Sequence, residues 1–254
     1  TGGNNSIGTY QAIVTTKVLE QAEGEEEPKE VTKYVDKDGK LNDSKVYVDV
    51  PANGEVIIEK LKFGEYSVTE YRNSAEITGY QLTIDGEETK KIDKDQLLIQ
   101  VDLTNTYVKD TKAQLKAKKD FNGKIEDGKF DFKVTEYTDS TYATVKEVID
   151  EQSNKGTTVL FKEMEYQGEG KHYYIIEEVK GKDGTIIYDE HTQKVEVDVK
   201  NVNNELQATI TPKDEAGFNA TFTNEQLGKL KITKAVTGGN NSIGTYQAIV
   251  TTKV

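Results

Sequence analysis

Residues 115–123 read Leu-Lys-Ala-Lys-Lys-Asp-Phe-Asn-Gly. In an extended chain alternate side chains share a face, so Leu115, Ala117, Lys119 and Phe121 form one row. That row is apolar except for Lys119. The stretch is a strand with one side turned inward, closed by an Asn122-Gly123 turn. A lysine in a core-facing row is costly unless it has a partner, so Lys119 calls for one elsewhere in the fold.

The same alternation extends in both directions from this strand. Strands are expected over Lys129–Glu136, Thr158–Phe161, His172–Val179, Lys194–Val199, Leu206–Thr211 and Asn219–Thr223 on its C-terminal side. On its N-terminal side they are expected over Gly8–Thr16, Val46–Val50, Val56–Leu61, Tyr66–Tyr71 and Leu97–Leu103. Turn pairs such as Asp38-Gly39, Asn53-Gly54, Asp85-Gly86 and Asp183-Gly184 separate them. One helix is expected, near Tyr142–Gln152, from apolar residues at helical spacing. The two groups of strands divide near Lys109–Thr111. The reading is an all-β chain of two tandem immunoglobulin-like β-sandwich domains, residues 1–109 and 112–226.

Thr1–Val18 and Thr237–Val254 are identical, letter for letter. A period of 236 residues implies a tandem repeat array. On that reading residues 229–254 supply the first strands of the next repeat, and the first domain lacks a first strand of its own.

Bulk composition narrows the function. The hydrophobic fraction is 34% and the charged fraction 31%, which suits small, thin β domains rather than one large core. With 33 basic against 45 acidic residues the net charge is −12, no footprint for nucleic acid. There is no cysteine, which removes disulfides, thiol catalysis and Cys-based metal sites together. No run of apolar residues is long enough to span a membrane.

Parity finds the partners of Lys119. Tyr174, Ile176 and Glu178 share a face, and so do Phe222 and Asn224. The first domain repeats the pattern with Tyr66, Val68 and Glu70, and with Leu103 and Asn105. Its lysine row, Leu230, Ile232, Lys234 and Val236, lies at the far end of the chain. In both rows the lysine is followed four residues later by a glycine, Gly123 or Gly238. Lys118 and Glu177 are adjacent decoys that point to the opposite faces. Two readings fit a Lys, Glu and Asn in core-facing rows. One is a buried ion pair satisfied by an amide. The other is a reaction: burial favours a neutral amine and a protonated carboxyl, the amine attacks the Asn carboxamide, and ammonia leaves.

The stretches AKKDFNGKIEDGKFDFKV, HYYIIEEVKG, DGTIIYDEHTQKVEVDV and NATFTNEQ make residues 112–226 resemble the streptococcal pilin isopeptide-linkage repeat of Gram-positive pilins and adhesins. Residues 229–236 followed by 1–107 resemble a Cna B-type domain, through KLKITKAVTGGNNSIGTYQAIV, NGEVIIEKLKFGEYSVTE and VDLTNTY. The resemblance implies an amide between the opening-strand lysine and the closing-strand asparagine, with a middle-strand glutamate as catalyst. In the second domain these are Lys119, Asn224 and Glu178. In the first they are Lys234, Asn105 and Glu70, with Lys234 outside the domain. Gln226 departs from the tyrosine these families usually carry, which Tyr107 keeps. The bond would tie first strand to last across about 100 residues, worth about 4 to 5 kcal/mol in the chain-entropy model.

The expected function is a structural stalk module of an adhesin or pilus-like protein, cell-wall-attached on the surface of a Gram-positive bacterium. It would act without turnover and without cofactors, beyond its own single-turnover cross-linking. Its partners would be neighbouring repeats, including strand complementation between chains by residues 229–254. A host-ligand-binding module is the alternative, and a turnover enzyme is a third class that no motif supports. Asp36-Lys-Asp38-Gly39 has the start of a calcium loop but no closing glutamate, so it reads as a turn. His172 and His191 are too isolated for a metal site.

Overall fold

The computed structural model describes residues 7–21, 27–237 and 245–253. Its described residues form strands, turns and a single 3-10 turn at Arg72–Ser74. The all-β expectation holds.

In the second half of the chain, the opening stretch is the ninth strand of the chain, β9 (Thr111–Phe121). Its inward row is buried, with Leu115, Ala117 and Lys119 fully so. The strands that follow are β10 (Asp131–Tyr137), β11 (Val145–Ser153), β12 (Thr158–Tyr166), β13 (Gly170–Val179), β14 (Ile186–Ile187), β15 (Thr192–Val202), β16 (Glu205–Thr211) and β17 (Ala220–Gln226). One sheet runs β12-β9-β17-β14, and the other contains β11-β10-β13-β15-β16. Both contribute to one core, with Leu115, Phe132, Val159, Ile176, Val197 and Phe222 at its centre. First and last strands lie side by side and parallel, with Phe222 opposite Lys119 and Asn224 opposite Phe121.

The first half comprises β1 (Thr9–Glu20), β2 (Lys29–Val35), β3 (Leu41–Asn42), β4 (Val48–Pro51), β5 (Gly64–Glu70), β6 (Tyr80–Asp85), β7 (Glu88–Ile92) and β8 (Thr104–Lys109). Its main sheet runs β3-β2-β1-β5-β7, with β4 beside the first residues of β1. The paired strands β6 and β8 join the larger sheet of the second half through one parallel bridge, Glu205 to Lys109. The core is smaller and divided. One cluster holds Val14, Val35, Val48, Tyr66 and Ile92, the other Ala75, Leu82 and Tyr107.

Three expectations need correction. Tyr142–Gln152 is not a helix. Val145–Ser153 is strand β11, paired to β10 with register shifts that leave Ile149 and Lys146 without opposite residues. Each bulge slips the alternation by one. Val145, Val148 and Ile149 therefore fall at helical spacing on an extended strand. Val56–Leu61 and Leu97–Leu103 are not strands in the structure either, despite their alternation. The second half supplies the reason for the first of these. The spacing of Val56, Ile58 and Leu61 repeats that of Val159, Phe161 and Met164 on β12, and β12 pairs with β9 alone. The first half has no counterpart of β9 among its described residues. A strand needs a ladder for its backbone groups, and without one the segment stays irregular.

Candidate functional site

Three neighbouring strands of the second half bring Lys119, Glu178 and Asn224 together. Glu178 sits on β13, opposite Phe132 of β10. Lys119 and Asn224 sit on adjacent strands of the other sheet. Lys119 Nζ donates to Glu178 Oε2 at 2.6 Å. Asn224 Nδ2 donates to Glu178 Oε1, also at 2.6 Å. One carboxyl group thus holds both partners, each on its own oxygen. The side chains of Lys119 and Glu178 have no solvent exposure. The Lys119 amine also lies 4.7 Å from the ring centre of Phe130.

Burial disfavours charge on both members of this pair. It pushes the Lys119 amine below its ordinary value, against the opposing pull of Glu178. It pushes the Glu178 carboxyl up, against the hydrogen bonds from Lys119 and Asn224. Both directions favour the neutral amine beside a protonated carboxyl.

The carboxamide of Asn224 is held at its other end as well. The backbone N–H of Asp189 donates to Asn224 Oδ1 at 2.8 Å. This donor is aimed at the oxygen on which negative charge would grow if the carboxamide carbon were attacked, the role of an oxyanion-hole amide. The loop that carries it is braced. Asp189 Oδ2 accepts from the Thr223 backbone N–H, and Asp189 Oδ1 accepts from the His191 backbone N–H. The His191 ring stacks on Phe222, with centroids 4.5 Å apart. Burial raises the Asp189 carboxyl, but these hydrogen bonds outweigh it and hold it below its ordinary value. Parity arguments missed Asp189, because its contribution is a main-chain amide presented by a loop.

Glu70 and Asn105 form the matching half-site in the first half. Asn105 Nδ2 donates to Glu70 Oε1 at 2.6 Å. Glu70 is buried, opposite Ala12 of β1, and burial pushes its carboxyl up against the opposing Asn105 hydrogen bond. The structure does not bring Lys234 to this pair. Lys234 lies outside any strand, exposed, with Nζ 5.4 Å from the Tyr246 ring centre. Gly238 lies outside the described residues.

The decoys are turned away. Lys118 pairs with Asp120 at 2.9 Å and Glu177 with Lys133 at 2.6 Å, all partly exposed. Gln226 and Tyr107 do one job with different groups. Gln226 Nε2 donates to the Thr185 carbonyl and the Tyr107 hydroxyl to the Ala75 carbonyl, each in the loop after the glutamate strand. Asp36 Oδ1 accepts from the backbone N–H groups of Asp38 and Lys40, so this carboxylate closes its own turn. His172 lies beside Glu136, at 3.2 Å from Nδ1 to Oε1. Among the described residues no group of three acidic, histidine or cysteine side chains is arranged to hold a metal ion, and no helix is long and apolar enough to cross a membrane.

Residues 115–226 match the family model for FctA, described as the Spy0128-like isopeptide containing domain. Comparison with the curated proteins finds no match. Among solved structures, the pilus adhesin SpaC from Lactobacillus rhamnosus GG is 13% identical, with a TM-score of 0.31; the match covers 89% of this chain and 30% of that one. A C-terminal fragment of SpaC is 15% identical at the same TM-score, over 87% of this chain and 91% of the fragment. The major pilin from Streptococcus pyogenes is 14% identical with a TM-score of 0.18, over 88% of this chain and 94% of that one. The chain thus spans about a third of the full adhesin's length.

Proposed function

We propose, from the match of residues 115–226 to the FctA model, the Spy0128-like isopeptide containing domain, that the chain is a structural stalk module of a Gram-positive pilus or surface adhesin. In this reading residues 1–109 and 112–226 are two tandem β-sandwich domains, and residues 229–254 open the next repeat. The second domain is closed by an amide between Lys119 and Asn224. The observation that carries the reading is the Glu178 carboxyl group, which holds the lysine amine and the asparagine amide at 2.6 Å each in a solvent-free site.

The chemistry follows from that arrangement. Proton transfer from Lys119 to Glu178 leaves a neutral amine and a carboxylic acid. The Lys119 nitrogen attacks the Asn224 side-chain carbonyl carbon, and the Asp189 N–H stabilises the oxygen as it gains charge. Glu178 delivers a proton to the departing nitrogen and accepts one from the attacking nitrogen. One C–N bond forms, one breaks, and ammonia leaves. The groups are consumed in the product, so the site turns over once.

The bond would close a loop of about 105 residues between the first and last strands, stabilising the domain by about 4 to 5 kcal/mol. A chain with small cores and no cysteine benefits most from such a staple. Intact mass spectrometry tests the proposal. The chain is expected one ammonia lighter than its sequence. Glu178→Ala is expected to recover the full mass. A wild-type chain at full sequence mass would falsify the bond.

A further inference from the structure

Among the charged residues buried in the second half, Glu136 alone lies apart from the Lys119 site. It ends the inward row Phe132, Val134 and Glu136 of β10, beside Tyr174 of β13 and Glu147 of β11. Its side chain is 7% exposed. Lys146 Nζ donates to Glu136 Oε1 at 3.1 Å, and His172 Nδ1 stands 3.2 Å from the same oxygen. Among the described residues no donor reaches Oε2. A buried carboxyl oxygen without a donor is costly, so this one marks a place where a donor belongs.

Glu136 lines a cavity of about 520 Å³ between β11 and β12, the edge strands of the two sheets. At its boundary the Lys162 backbone N–H donates to Asp150 Oδ2 at 2.6 Å and ties the two edges together. Ile149, Met164 and the Tyr166 ring give it apolar walls. The hydroxyls of Tyr166 and Tyr174 satisfy one another at 3.0 Å, which leaves the Glu136 carboxyl group as the polar anchor. Strand β11 is shaped to the cavity. Strict alternation would put Lys146 and Ile149 on opposite faces. Its two bulges set both outside the ladder, and both line the cavity. Lys146 thus occupies the anchor as a tethered guest, an ammonium group on an apolar stem. Its side chain is 51% exposed, so a free molecule carrying the same group can displace it into solvent at little cost. With Lys146 swung out, Glu136, Glu147, Glu163 and Glu165 face only Lys112 and Lys162, an excess of negative charge.

We propose that this cavity binds a short linear diamine. One ammonium group takes the place of the Lys146 amine on Glu136 and donates to Oε2 as well as Oε1, as a three-donor ammonium can. The alkyl stem lies against Ile149, Met164 and the Tyr166 ring. The second ammonium group reaches the carboxyl groups at the mouth. There Glu163 and Glu165 share Lys112, at 3.1 and 2.8 Å, and Glu147 makes no ion pair among the described residues. A buried anchor that accepts hydrogen bonds and an acidic mouth select against an anionic ligand of the same length. Lys119, Glu178 and Asn224 do not line the cavity, so diamine binding is independent of the proposed amide.

Proton NMR titration of the whole chain with cadaverine, whose stem matches a lysine side chain, tests this. The chain has two histidines, and they report separately. Cadaverine is expected to shift the ring signals of His172 saturably and to leave those of His191 in place. Pentanoate is expected to shift neither. Glu136→Gln, which keeps the shape of the anchor, should weaken binding about tenfold or more, the loss of a charged hydrogen-bond acceptor. Lys146→Ala should tighten it several-fold by removing the tethered competitor, a gain that damage to the fold would not produce. No saturable shift of His172 in either the wild type or Lys146→Ala overturns the proposal. So does binding that survives Glu136→Gln unchanged, which would put the diamine elsewhere. Weaker binding in Lys146→Ala, or pentanoate binding in preference to cadaverine, would make the cavity an anion site and also overturns it.

Discussion

At the scale of single residues, the site depends on what holds the Asn224 carboxamide still. Glu178 fixes its nitrogen and the Asp189 main chain fixes its oxygen. Asp189→Ala removes the acceptor for the Thr223 N–H and loosens the loop that presents the amide. In the Asn224→Ala background, where no bond forms, it is expected to cost about 1 to 2 kcal/mol in urea unfolding. The pH dependence has a defined sign. The folded Asp189 carboxyl lies below its ordinary value of 3.8, so its contribution is present above that value and is lost as pH falls through the folded one. The stability of Asn224→Ala should therefore drop on acidification below 3.8, and more shallowly once Asp189 is also replaced. Equal slopes would mean that Asp189 contributes nothing through its charge. Lys119, Glu178 and Asn224 were legible in the sequence, because period two puts each in an apolar row. Asp189 was not. A loop amide leaves no side-chain signature, and its position follows only from how β14 and the residues after it pass beside β17.

Among the strands, the alternation identified those that are half-buried and failed on three kinds of segment. The first kind is the charged strand: Lys29–Val35 and Glu88–Ile92 bury few residues and carry mostly lysine, glutamate and threonine outward. The second is the bulged edge strand Val145–Ser153, where slipped pairing imitates a helix. The third is Val56–Leu61, whose pattern is right but whose pairing strand is not beside it. Strand propensity states what a segment can do, and a neighbour's backbone decides whether it does. These segments also predict where the chain opens. Residues 53–63 and 93–103 lack strand pairing and carry exposed Ile57, Phe63, Leu97 and Leu98. Limited proteolysis is expected to cut there before it cuts within 112–226. Initial cleavage inside 112–226 would reverse the assigned order of stability.

Across the whole molecule, the two halves have unequal cores. The second has one continuous core and a site suited to cross-linking, while the first has two small clusters and a half-site. Glu178→Ala is expected to lower the melting temperature of the second half by on the order of 15 to 20 °C, the loss of a closed loop of this size. The first half should melt unchanged, as two transitions in calorimetry would show. The parallel pairing of β9 and β17 sets a further, mechanical property of the second half. Load entering at Thr111 and leaving at Gln226 would run along β9 to Lys119, cross the amide, and leave along the last residues of β17. The residues between 119 and 224 lie off that path. Fully extended, they represent roughly 350 Å of chain, and with the proposed amide in place none of it would be released under load. With the proposed Lys119–Asn224 amide formed, the second half would thus behave as a rod of fixed contour length.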